Sequence, residues 1–235
     1  MKRALSLVVA LAFVLVAGCQ SEPVDDGGSP MIRTLSAAIA NAPLDVCVNG
    51  QLSIMDIDTG ARTAHSEADT QRFEMATGPT GTPCDQTTPV TGLENIDLTP
   101  ERFSTVVILP DGVSAIQLAD DNTPLPAGEA KIRVINMCED CENVTVTDQD
   151  DNVLFTNVAF NNVAEFGYEN FAAGTYDFII KLPDAESTGR IIEGFVIEEG
   201  TTYTIFVFGR MDGDAAAFNF TVIEDLRVGI ETTSG

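Results

Sequence analysis

Cys138 and Cys141 stand two residues apart in "MCEDCE", a spacing used for thiol redox chemistry, for half of a zinc site or for a short disulfide. A reactive thiol needs its pKa depressed by a helix N-terminus or by neighbouring cations. Glu139, Asp140 and Glu142 bring the opposite charge. The flanks "KIRVIN" and "NVTVTD" are β-branched and alternating, the pattern of two strands rather than of a strand-to-helix turn. Zinc would need two further ligands, to be drawn from Cys47, Cys84 and His65. The pair reads as a structural disulfide across a strand-to-strand turn.

The other groups capable of chemistry are few. His65 is the only histidine, next to Ser66 and near Asp69. A Ser–His–Asp triad needs a convergence in space, and this polar stretch lacks nucleophile-elbow glycines, so it reads as a solvated loop. "DQDDN" sets Asp148, Asp150 and Asn152 at alternating positions, as at the start of a calcium loop, which makes them candidate calcium ligands. The downstream glycine and bidentate glutamate are missing, and Asp and Asn favour hairpin turns in any case. Asp120 and Asp121, with Glu139 and Asp140, suggest an acidic cleft between two domains. No pair of carboxylates stands out for glycoside hydrolysis, and there is neither a tryptophan platform nor a phosphate loop. No catalytic residue is expected, and no cofactor beyond the candidate calcium.

These side chains must be carried by an exported protein. "MKRALSLVVALAFVLVAGCQ" has a basic start, then an apolar run too short for the roughly 20 residues of a membrane span, and ends in small residues before Cys19. "VAGC" resembles a bacterial lipobox, which implies cleavage before Cys19 and lipid on its sulfur and new amino terminus. Several acyl chains anchor stably where one does not. Gln20 stands where an aspartate would imply inner-membrane retention, so the expected location is the cell envelope, anchored to the outer membrane. "SEPVDDGGSP" follows as a polar tether.

The net charge of −24 repels nucleic acid and anionic surfaces, while a hydrophobic content of 44% is ample for a core. With Cys19 assigned to lipid, four cysteines remain, an even number in an oxidising compartment. Cys47–Cys84 and Cys138–Cys141 are the favoured pairings, since each closes within one half of the chain.

The halves resemble each other. "IRTLSAAIANAPLDVCV" from Ile32 matches "IRVINMCEDCENVTVTD" from Ile132, with Leu44-Asp45-Val46 opposite Val144-Thr145-Val146. "NIDLTPERFSTVVIL" from Asn95 matches "GFVIEEGTTYTIFVF" from Gly194, with Phe103 set opposite Tyr203, and "DGVSAIQLADD" and "DGDAAAFNFTVIED" close the copies alike. Turn residues recur every eight to twelve positions, as expected for seven or eight short strands per copy. Tyr203, Ile205 and Val207 share a face of an almost wholly apolar run, which marks a central strand. The expected class is all-β, two tandem immunoglobulin-like antiparallel β-sandwiches.

The stretch "KIRVIN…ENVTVTDQDDNVLFTNVAFNNVAEF…AAGTYDFII…EEGTTYTIFVFG…VIED" resembles the bacterial domain-of-unknown-function 4397 family, strongly over 130–225 and more weakly over 31–121. The resemblance implies an exported, commonly tandem module, lipidated or surface-attached, with no assigned activity. Cys138 and Cys141 depart from it, standing where the family has a Ser-Pro-Asp-Ala-like turn. Copy one departs between Gly50 and Thr70 and carries an extra loop, "GPTGTPCDQTTP".

The expected organisation is a leader over 1–18, a lipidated tether over 19–30, sandwiches over 31–121 and 130–226, an exposed linker over 122–129 and a tail over 227–235. The expected role is a non-enzymatic envelope lipoprotein, a binding or structural module with an envelope protein or glycan as partner. The alternatives are a calcium- or glycan-dependent adhesion module and, behind it, a thiol-redox or hydrolytic enzyme.

Overall fold

A computed structural model describes residues 28–40, 42–69, 72–162, 167–182, 189–210 and 218–230. The leader, most of the tether and Cys19 lie outside the described residues. Copy one contributes β1 (Met31–Ser36), β2 (Leu44–Val48), β3 (Gln51–Ile57), β4 (Ser66–Glu67), β5 (Met75–Pro79), β6 (Thr88–Pro89), β7 (Phe103–Ile108) and β8 (Ala115–Asp120). Copy two contributes β9 (Glu129–Cys138), β10 (Asn143–Thr147), β11 (Val153–Ala159), β12 (Glu169–Ala172), β13 (Gly174–Lys181), β14 (Arg190–Ile197), β15 (Thr201–Gly209) and β16 (Phe218–Arg227). The chain is all-β, with eight described strands in each copy.

The repeat is also topological. One sheet runs β4-β1-β7-β8 in copy one and β12-β9-β15-β16 in copy two; the other runs β3-β2-β5-β6 and β11-β10-β13-β14. Each copy is a sandwich of these two sheets. It is not wholly antiparallel, as the sequence suggested: β1 runs parallel to β7, and β9 to β15. A first strand that pairs with the penultimate one needs the length of the whole module to return, and no local pattern announces it.

Strand ends follow turn chemistry. Asn49 and Gly50 join β2 to β3, both in the left-handed region at φ 52° and 77°, the two-residue turn whose twist suits a hairpin. The equivalent hairpin in copy two, β10 to β11, is closed by "DQDDN".

The ladders also correct the alignment of the copies. Ile32 pairs with Ser104 and Ile132 with Tyr203, so Ser104, not Phe103, is the equivalent of Tyr203. A one-residue shift exchanges the faces of a strand. In the corrected register Arg33 and Arg133 lie beside Thr105 and Thr204, and Asp120 and Asp225 occupy equivalent places on β8 and β16.

The expectation of two bodies joined only by an exposed linker gives way here. Ile32, Ala38, Val46, Val106 and Ile108 form the core of copy one. Leu35, Ala37, Val107 and Leu118 point the other way and belong to the same buried cluster as Ile135, Met137 and Phe206 of copy two. The sheets containing β1 and β9 are therefore packed face to face, giving four layers. Gly60 of copy one comes so near Phe208 of copy two that a β-carbon on it would run into the ring. Within the linker, Leu125 is buried and its amide donates to the Gly229 carbonyl at 3.2 Å.

Candidate functional site

The polar centre of this seam is built from residues in the corrected register. Both arginines point into it from strands whose other faces fill their own cores, and the side chains of Arg33, Arg133, Asp120 and Asp225 are at most 2% exposed. Arg33 Nε donates to Thr105 Oγ1 at 2.8 Å and Arg133 Nε to Thr204 Oγ1 at 2.8 Å, each within its own copy. The terminal nitrogens cross over. Arg33 Nη2 donates to Asp225, and Arg133 Nη2 to Asp120. The threonine hydroxyls donate to the aspartate of their own copy, at 2.8 Å and 2.6 Å. Each aspartate lies between both cations, with the second arginine 3.9 Å from Asp120 and 4.0 Å from Asp225. The exchange is close to two-fold, like an isologous dimer interface drawn into one chain.

One group per copy completes the set. His65 Nε2 lies 3.0 Å from Asp120 Oδ2, and Tyr168 Oη donates to Asp225 Oδ2 at 2.8 Å. Arg133 also stacks over the Tyr168 ring at 4.6 Å, a cation–π contact. His65 is thus not in a solvated loop. Its side chain is 7% exposed, and it packs edge-on against Phe103 at 5.3 Å.

Electrostatics follow from this geometry. Burial alone would raise the Asp120 carboxyl, but Arg133, the His65 hydrogen bond and Arg33 together hold it well below the ordinary carboxylate range. Burial likewise works against the Arg133 charge, and Asp120 with Asp225 restores it, so the guanidinium stays above its usual value. Burial pushes the Tyr168 phenol up, and Asp225 adds to this against Arg133, so it remains a neutral donor. The set is satisfied and closed. Asp120 is therefore not part of an open acidic cleft with Glu139 and Asp140. Asp121 pairs with Lys131 at 2.6 Å, and Glu139 and Asp140 pair with Arg210 at 2.7 Å and 3.4 Å.

The remaining candidates are placed as follows. Both disulfides form, Cys47–Cys84 and Cys138–Cys141. Cys138 and Cys141 are buried in the copy-two core, and the Cys141 amide donates to the Cys138 carbonyl at 3.2 Å, closing the turn. Asp148 accepts the amides of Asp150 and Asn152 at 2.9 Å each, and the Asn152 side chain at 2.7 Å. Its oxygens thus hold a hairpin turn, and among the described residues no group of three His, Cys, Asp or Glu is arranged to hold a metal ion.

Beside the seam lies a cleft of about 350 Å³ between the edges of the two sheets of copy one. Ile54 and Phe73 line it with Ala68, and Ser66, Glu67 and Asp69 bring polar groups to it. His65 belongs to the cleft and to the seam at once. Sequence reasoning missed Arg33, Thr105, Arg133, Thr204, Asp225 and Tyr168. The available signal was the Ile-Arg start shared by the two first strands, together with the apolar run of β15, the mark of burial on two sides.

Comparison with curated proteins found no match. A solved structure described as "Alpha-glucan binding by a streptococcal virulence factor" aligns with 86% of this chain and 100% of its own at 11% identity, with a TM-score of 0.28, too slight a likeness to argue from. The model of the family described as "Domain of unknown function (DUF4397)" matches residues 30–147, all of copy one and the first two strands of copy two. That span differs from the expectation that copy two would carry the stronger similarity. With half of the chain matched, and with the Ile-Arg strand of each copy inside the match, the protein belongs to the DUF4397 family.

Proposed function

We propose that the protein is a non-enzymatic binding or structural module of the bacterial cell envelope, two sandwiches fused into one body and held to the outer membrane by lipid on Cys19. The observation that carries the reading is the crossed Arg33–Asp225 and Arg133–Asp120 pairs. The charged and hydrogen-bonding groups best suited to chemistry are closed into a brace that fixes the copies relative to each other. His65 is tied into the same brace, and the CxxC pair is closed as a disulfide within the copy-two core, so neither natural candidate for catalysis is left open. A rigid body of this kind presents surfaces in fixed register at the end of a tether, which suits capture or spacing rather than turnover. An envelope protein or a glycan is the partner class this reading favours, and the acidic surface argues against nucleic acid.

The test is fractionation of cells that express the wild-type protein or Cys19→Ser. The wild type partitions with detergent, and the variant is released or left unprocessed. Detergent partitioning of the variant like that of the wild type would overturn the lipoprotein reading. Pull-down from envelope extracts with the mature ectodomain then identifies the partner.

A further inference from the structure

Because the chain contains its module twice, copy two is a control for copy one. In copy two the same sandwich edge is closed by rings. Phe155 on β11 stacks on Phe171 on β12 at 5.8 Å, and Tyr176 lies edge-on to Phe171 at 6.1 Å. The ladders give the equivalents. Ile54 faces Val46 as Phe155 faces Val146. Ala68 bonds to Pro30 one position before the β1 ladder, as Phe171 pairs with Ala130 at the start of β9. Phe73 precedes Met75 as Tyr176 precedes Phe178, and Val46–Thr77 matches Val146–Ile180. Two of three rings are thus replaced by smaller side chains in copy one, and the cleft opens where the rings would stand.

We infer that this cleft is a binding site for a small organic cation, an amine with an apolar body of a few carbons. The body would lie on Ile54, Ala68 and Phe73, which pack against the copy-one core and are only partly buried. Apolar area left open there is stabilised when an apolar body covers it. The charge follows from the rim. Glu67 and Asp69 line the cleft, no lysine or arginine is among its described lining residues, the neighbouring Arg72 is paired with Glu74 at 2.6 Å, and the whole chain carries −24. An anion would enter against that field, and an ammonium group would enter with it. Ser53 and Ser66 add hydroxyl oxygens that accept from an N–H donor.

The inference deepens the binding reading of the preceding section and is tested independently of the lipid anchor. Three probes share one body and differ in the head: hexylammonium, hexanol and hexanoate. Each is titrated into the full-length mature protein, followed by the methyl NMR signals of Ile54 and Ala68. Hexylammonium should saturate at least ten-fold more tightly than hexanoate, with hexanol between them. Ala68→Phe, which restores the copy-two ring, should abolish binding. Glu67→Gln with Asp69→Asn should weaken hexylammonium at least five-fold and leave hexanol unchanged, and these exposed changes keep the test open should Ala68→Phe fail to fold. Equal binding of all three probes, tighter binding of hexanoate, unaltered binding to folded Ala68→Phe or no saturable shift with any probe would overturn the assignment. None of these outcomes bears on Cys19→Ser fractionation, so the two readings fail separately.

Discussion

Arg133→Met is the most searching perturbation of the seam. It keeps the apolar stem and removes a guanidinium that donates to Thr204, to Asp120 and to the Ala119 carbonyl at 3.1 Å. Removing one partner of a buried ion pair costs about 3–5 kcal/mol, because the other charge stays buried. Asp120 would not be wholly stranded. It keeps Thr105 and His65, and Arg33 lies 3.9 Å away. A charge at that distance is worth up to about 4 kcal/mol at an effective dielectric constant near 20. The expected loss therefore falls at the low end, about 3 kcal/mol, still a large part of a typical 5–15 kcal/mol of stability. Urea unfolding reads it as a lower midpoint at unchanged slope. A double-mutant cycle with Asp120→Leu should show coupling of at least about 1.5 kcal/mol, in the range measured for close charge pairs. Replacing all four charges by Met and Leu should be neutral or stabilising, since the desolvation cost disappears with the charges. A loss below about 1 kcal/mol for Arg133→Met, or simple additivity in the cycle, would refute a closed, water-excluded seam.

Three further outcomes follow from the same structure. The Asp120 carboxyl is held below its ordinary value of 3.8, so the stability it contributes is complete above that pH and drains away as pH falls through the depressed folded value; urea midpoints from pH 6 to pH 2 should fall more steeply in wild type than in Asp120→Asn. Cys47–Cys84 closes a separation of 37 residues and Cys138–Cys141 one of 3, so on the chain-entropy scale their removal by serine should cost about 4 and about 2 kcal/mol, both proteins remaining folded at 25 °C. Gly60→Ala should destabilise through both its φ of 80° and the Phe208 ring that the new carbon would meet; adding Phe208→Ala should relieve the second part, and equal destabilisation with and without Phe208 would contradict the packing.

Much of the architecture was legible. Alternating β-branched runs and regular turn signals located the strands, and pairing the four cysteines that remain after Cys19 within their own halves gave the bridges that form. The apolar run of β15 was rightly a central strand, flanked by β9 and β16. Its continuity also implied burial on both faces, and so a layer beyond the sandwich, an inference the sequence reading did not draw. The seam was harder to see for two physical reasons. Register is invisible in a strand that is apolar on both sides, so Phe103 was set against Tyr203 and the threonines fell out of line. Pairing between copies leaves no local signature, so Arg33 and Arg133 served only as alignment marks, and His65 looked solvated because its partner lies 55 residues away. The cleft was illegible for a related reason: Ala68 and Ile54 are informative only against Phe171 and Phe155, which requires the register first.

The central claim is that the copies form one body through the crossed arginine–aspartate pairs. Native-state hydrogen exchange, resolved by residue in the full chain, tests it most directly. Amides of β1 and β7 should open with the same free energy as those of β9 and β15, and Arg133→Met should lower both sets together. Copy-one amides that exchange through a separate, weaker opening, with copy two unmoved by the mutation, would contradict it.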